Sequence, residues 1–209
     1  RRVLFRSLYK KEKEQTRIIG KEAAPRLATL TEEEFRQKGG YDFDKALELA
    51  NRTVQRDPDL IEGWIVKAKV HFSRQEFNEV VKAYNKLPEK IRERSNLYHL
   101  ARHYALQKLD SEQLQINQLT ELMNAVDHVQ LSFLLAGFAE QNTDSIDGKV
   151  AIATALLKLT NKYAATDLKM SIRYLPGGKL DVDVSDNPKL YSLSGLRNLP
   201  IRKLNMSNT

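Results

Sequence analysis

The chain has 209 residues, enough for one or two domains with cores of their own. Its 41% hydrophobic and 29% charged residues are those of a folded globular protein, and the absence of cysteine excludes disulfides and cysteine-based metal or nucleophile chemistry. The formal charge of +7 counts Arg1, Arg2 and Arg6; without these three arginines the +4 that remains is spread along the chain, too dilute for a basic nucleic-acid face, and no nucleic-acid partner is expected.

Residues 1–7, Arg-Arg-Val-Leu-Phe-Arg-Ser, carry no helix cap and no turn chemistry. The codons AGA CGT GTG CTC TTC CGA TCT encode them and match the end of a widely used DNA-sequencing adapter, so the segment is read as a non-native scar and set aside from fold reasoning. On that reading the native sequence begins at or after Leu8, and coding sequence upstream of it is missing. Residues 8–30 form a charged helix or linker interrupted by Gly20 and Pro25. The Lys10–Lys13 run suits a solvated face or the cytoplasmic flank of a lost membrane helix equally well. No stretch approaches the ~18 apolar residues of a membrane span.

Thr31-Glu32-Glu33-Glu34 is a capping box, which predicts a helix from about Glu32 to Gly39-Gly40. The next segment sets Phe43, Ala46, Leu47, Ala50 and Val54 on one face at helical spacing and ends before Pro58. Trp64 and Tyr98 are 34 positions apart, as are Ala46 and Val80. That period, with Pro58 closing one helix pair and Ala68 and Tyr84 at small and bulky positions, resembles the tetratricopeptide repeat. The match is best over 40–88 and looser to about 124, where Arg102 stands in place of a small residue. Two further amphipathic helices, "VDHVQLSFLLAGFAEQ" and "DGKVAIATALLKLTNKY", close the array without a repeat signature. The resemblance implies a right-handed solenoid of helical hairpins over 31–165, with Trp64 and Tyr98 in its core.

From about Asp167 the hydrophobic period changes to two. Leu168, Met170, Ile172 and Tyr174 alternate with polar residues, a Pro176-Gly177-Gly178 turn follows, and Leu180, Val182 and Val184 alternate again, which predicts a β-hairpin. The second strand then aligns with later sequence at a spacing of 22: Val182 with Leu204, Val184 with Met206, Asn187 with Thr209. This resembles the leucine-rich repeat, with Ile201, Leu204, Met206 and Thr209 in the signature positions of the second copy and Lys179 departing from the pattern in the first. The resemblance implies apolar signature residues facing inward, Asn187 or Thr209 bonding the turn backbone, and Leu190, Leu193, Leu196 and Leu199 packing beneath the strands. Residues 166–209 are therefore expected to be a hairpin cap and the start of a leucine-rich repeat domain that stops in mid-repeat, the whole fold being mainly α.

No catalytic motif emerges. His99 and His103 have the spacing of a two-imidazole metal site but lack a following Glu and a third ligand, and read as helix surface. "LPGGKL" lacks the spacing of a phosphate loop, and the protein-kinase motif set is absent. No cofactor or metal is expected. What remains is binding to a protein or peptide, through the groove of the helical repeats or the non-signature strand positions Asp181, Asp183, Lys203 and Asn205. Helical repeats followed by leucine-rich repeats behind a basic segment are similar to the C-terminal region of large bacterial serine/threonine protein kinases. That resemblance implies, as an alternative, a sensing or substrate-docking tail whose kinase domain and membrane anchor lie upstream.

Overall fold

The computed structural model describes residues 24, 25, 28, 42–107, 114–162 and 167–209. The suspected scar, nearly all of the charged segment and the helix expected after Thr31 lie outside these residues. The described part is mainly helical with a small three-stranded sheet at its C-terminal end. The chain divides into two compact units, Arg1–Glu112 and Gln113–Thr209.

In the first unit, α1 (Phe43–Arg56) starts at Asp42, whose carboxylate accepts the Lys45 N–H at 2.9 Å, and stops at Asp57-Pro58. It buries Phe43, Ala46, Ala50 and Val54, the face its spacing predicts. α2 (Ile61–Ser73) packs against α1 and α3 (Phe77–Tyr84) against α2. Gly63 marks the tight point between α1 and α2: a Cβ there would lie 2.9 Å from the Thr53 methyl. A single turn, α4 (Glu89–Arg92), precedes α5 (Asn96–Leu106), which packs on α3. Phe43 and Phe77 begin α1 and α3, 34 positions apart.

The core of this unit is aromatic at its α2–α3–α5 junction. Phe77 meets Phe72 edge-on at 5.8 Å and stacks on Tyr104 at 5.1 Å. Tyr98 is buried as expected, beside Tyr84 at 5.6 Å. Trp64 is not: it is half-buried, with its indole N–H donating to the Pro58 carbonyl at 2.7 Å. A buried indole needs a hydrogen-bond acceptor, and the chain supplies one at the rim rather than in the core.

The second unit opens with α6 (Ile116–Ala125), α7 (Val129–Gln141) and α8 (Ile146–Asn161), packed on one another. α8 begins at Ser145, whose hydroxyl accepts the Gly148 N–H, and ends at Lys162 in the left-handed region (φ 55°). β1 (Ser171–Tyr174) pairs antiparallel with β2 (Leu180–Asp183) through a one-turn 3-10 segment in which Gly177 and Gly178 take φ of 74° and 71°. β3 (Ile201–Asn205) pairs parallel with β2, giving the order β1-β2-β3. Leu180, Val182, Val184, Leu196 and Leu199 share one core with Ala153 and Leu157 of α8, and Leu168, Met170, Ile172, Leu190 and Leu193 pack against it. The junction expected near 165 thus falls inside one compact unit, because α8 supplies the floor on which the strands and their return segment sit.

Candidate protein-binding face of the C-terminal sheet

The 22-residue alignment is realised as cross-strand pairing. Asp181, Val182 and Asp183 are the register partners of Lys203, Leu204 and Asn205. The likeness extends into the turn. Asp186 and Asn208, 22 positions apart, both take positive φ (57° and 58°), and Asn208 Nδ2 donates to Asp186 Oδ1 at 3.0 Å. Asn187 Nδ2 donates to the Val184 carbonyl at 2.7 Å, and Thr209 Oγ1 makes the equivalent bond to Met206 at 2.9 Å. Asn187, only 1% exposed, also clamps the start of β1, accepting the Lys169 N–H at 2.9 Å and donating to its carbonyl at 2.6 Å. The burial of the two copies differs. Leu180, Val182 and Val184 are sealed, whereas Leu204 is half-buried and Met206 is 49% exposed, short of the inward packing expected of them.

The face of the sheet away from α8 carries the four residues singled out from sequence. Asp181 has a side chain only 10% exposed, because two arginines lie over it: Arg202 grips it with both Nε (3.0 Å) and Nη2 (2.8 Å), and Arg173 donates at 3.0 Å. The Arg202 hydrogen bonds hold its carboxyl below the ordinary range against the opposing effect of burial, with Arg173 adding to the shift. Asp183 is held low chiefly by the Ser185 hydroxyl and N–H, and then by Asn205 Nδ2, which donates at 2.9 Å. Asn205 in turn accepts from Ser207 Oγ at 2.9 Å. Both aspartates therefore spend their acceptor capacity within the fold.

Lys203 is the exception. It is exposed, and its described interaction is the through-space attraction of Asp183. Arg173 (74% exposed side chain) and Arg202 (55%) stand beside it and were not singled out in the sequence. Arg202 reaches Asp181 because the ladder slips between Leu180 and Asp181: Leu180 pairs with Ile201 but Asp181 with Lys203, leaving Arg202 as the extra residue of a bulge. Simple alternation gives no sign of that slip. The aspartates thus act as anchors, and what the face offers outward is a row of cations, Arg173, Arg202 and Lys203.

Elsewhere, the two histidines at metal spacing serve different neighbours: His99 Nε2 lies 2.8 Å from the Glu93 carbonyl and His103 Nε2 lies 2.8 Å from the Gln107 amide nitrogen. A polar cluster the sequence reading missed sits at the α2–α3 turn, where Gln75 takes φ 62°. Buried His71 places Nδ1 2.6 Å from Glu76 Oε2, while Arg74 Nε donates to Oε1 at 2.8 Å. The cluster pins the turn. His71 Nε2 has no hydrogen-bond partner among the described residues, and no group of three or more His, Asp or Glu there could hold a metal ion. Among the described residues no helix is long and apolar enough to cross a membrane. No family model, curated protein or solved structure matches this chain.

Proposed function

We propose that the chain is a non-catalytic protein-interaction module, a tetratricopeptide-like helical array leading into the first strands of a leucine-rich-repeat-like sheet. The sheet face bearing Asp181, Asp183, Lys203 and Asn205 is its contact surface. The observation that carries this reading is the 22-residue periodicity of the ladder, in which cross-strand pairs and turn conformation repeat together. Such a ladder holds side chains at fixed intervals on a rigid sheet, as recognition requires. The cations Arg173, Arg202 and Lys203 favour a partner with acidic side chains; Asp181 and Asp183 hold the arginines and Asn205 in place.

The test is selection of peptides from a random display library against the full chain, followed by affinity measurement for the double variant Arg173→Glu, Lys203→Glu. Enriched peptides should be acidic and should lose about tenfold or more in affinity, since each desolvated charge contact contributes on the order of 1 kcal/mol. Peptides that bind the double variant unchanged would move the contact surface away from the sheet.

A further inference from the structure

The strand β1 borders the sheet: it pairs with β2 and, among the described residues, with no other strand. Its backbone phase is fixed by the Leu175 N–H, which donates to the Lys179 carbonyl at 2.9 Å. Hydrogen-bonded pairs alternate along an antiparallel ladder, so Arg173 and Ser171 turn their backbone groups to β2 as well. Lys169 keeps the same phase, its N–H and C=O both taken by the Asn187 side chain. The N–H and C=O of Met170, Ile172 and Tyr174 are therefore directed away from β2, to an edge where no described residue bonds them. The devices that blunt such an edge are missing. The register with β2 runs without a bulge, proline enters only at Pro176 after the strand, and the inward side chains of Met170 and Ile172 are apolar. Arg173, on the outer face, spends its charge on Asp181 at 3.0 Å.

We infer that β1 pairs with β1 of a second copy of this chain, antiparallel about a two-fold axis at Ile172, joining the two sheets edge to edge. The side chains of the edge are complementary to themselves in that one register. Centred on Ile172, the ladder engages all three outward residues of both copies: Ile172 meets Ile172, and Met170 meets Tyr174. Between them Arg173 lies opposite Ser171 and Lys169 opposite Leu175, so no pair opposes like charges. A shift by one pair loses this match. Centred on Ser171, the ladder sets Arg173 against Lys169 of the other copy; centred on Arg173, it sets that arginine against itself. Further shifts engage a single outward residue. The chosen register also covers the Tyr174 ring, which is 51% exposed and held by its hydroxyl bond to Asp147, with the Met170 side chain of the other copy. Each contact is made twice, as a two-fold interface requires. The pairing uses the edge of β1 and not the outward side chains of Arg202 and Lys203, so it stands independently of the acidic-partner reading.

The probe is the full chain itself, followed by sedimentation equilibrium and amide hydrogen exchange between about 10 µM and 1 mM. The expected result is a reversible monomer–dimer equilibrium in which exchange of the Ile172 and Tyr174 amides slows as the dimer fills, while the Arg173 amide is protected at every concentration. Ile172→Pro removes an outward donor and none of the β1–β2 bonds, and should weaken the dimer about tenfold or more with the Arg173 amide still protected. The register is read by cysteine, which the chain otherwise lacks. Ser171 of one copy and Arg173 of the other form a close non-hydrogen-bonded pair, so an equimolar mixture of Ser171→Cys and Arg173→Cys chains should form the mixed disulfide about tenfold faster than either chain alone dimerises. Both positions are on the exposed face, and this pair decides the matter even where the proline disorders β1. A chain that stays monomeric at about 1 mM overturns the proposal. So does a dimer indifferent to Ile172→Pro, or one in which the mixture cross-links no faster than its components.

Discussion

Phe43 and Phe77 begin α1 and α3 of the first unit, 34 positions apart, and the core behind them is aliphatic and aromatic. In the second unit the repetition has a period of 22, and side-chain amides hold much of it: Asn187 ties the β2 turn to β1, and Asn161 ties the return segment to α8. Asn161 is 2% exposed. It accepts the Tyr191 and Ser192 N–H groups, both at 2.8 Å, and donates to the Ser192 and Leu157 carbonyls at 2.8 and 2.9 Å. The contrast follows from geometry. Packed helices satisfy their own backbones and need only shape between them, whereas a strand followed by an irregular return leaves buried N–H and C=O groups that some side chain must meet.

The largest effect should come from the aromatic junction. Phe77→Ala removes a fully buried ring touching Phe72 and Tyr104, and should cost the first unit about 3–5 kcal/mol. Trp64, the single tryptophan, lies in that unit, so its fluorescence during denaturant unfolding reads the loss directly. Next, Asn161→Leu keeps the branched outline of the side chain but leaves three backbone groups unmet, the N–H of Tyr191 and the N–H and C=O of Ser192, and should destabilise the second unit by about 2–3 kcal/mol. The methyl NMR signals of Leu180 and Val182 report it. An Asn161→Leu protein as stable as the parent would break the contrast, since the amide would then be incidental. Smaller again is Gly195→Ala. A Cβ there would stand 2.8 Å from the Ala153 carbonyl oxygen and 2.9 Å from the Leu157 nitrogen, both backbone atoms of α8, so the return segment must lift by about 1–3 kcal/mol of strain. The same methyl signals should shift even where the unit stays folded.

What the sequence made legible follows the same division. Phe43, Ala46, Ala50 and Val54 announce α1 because burial on one helix face is a property of spacing alone. The alternation from Leu168 to Val184 and the glycine pair announce the hairpin, and the spacing of 22 announces which residues face one another across β2 and β3. Three features stayed hidden. The bulge that carries Arg202 onto Asp181 changes register without changing composition. The role of Asn161 depends on a segment 31 positions away that no local pattern marks. The junction at 112–113 was hidden because α7 and α8 read as two more helices of an array, while α8 buries Ala153 and Leu157 in the core of the strands. The candidate face was legible as a set of positions but not as a division of labour: Asp181 and Asp183 look like contacts in a sequence and act as anchors in the fold.

The smallest and most discriminating effects concern pH, because half-buried Glu76 in the first unit and buried Glu140 in the second are displaced in opposite senses. Burial would raise the Glu76 carboxyl, but hydrogen bonds from His71 and Arg74, with their charges, outweigh it and hold it below the ordinary 4.5. A carboxyl lowered by folding contributes stability that is present above its unfolded value and lost as pH falls through the folded one. For Glu140 burial prevails over the Asn198 hydrogen bond and the nearby charges of Arg197 and Lys149, and its carboxyl is raised above 4.5. The folded unit then holds that proton more tightly than the unfolded chain, so the contribution is present in acid and lost as pH rises through the raised value. Glu76→Gln should flatten the acid loss read by Trp64 fluorescence. Glu140→Gln, which keeps an acceptor for the Asn198 amide, should make the second unit relatively more stable at pH 8 than at pH 4. Asp181 and Asp183 add an acid loss of their own to that unit, so the quantity to measure is the difference between parent and Glu140→Gln across the pH series. If that difference does not change with pH, the Glu140 proton is held no differently in the folded unit than in the unfolded chain, and the opposition between the two units fails.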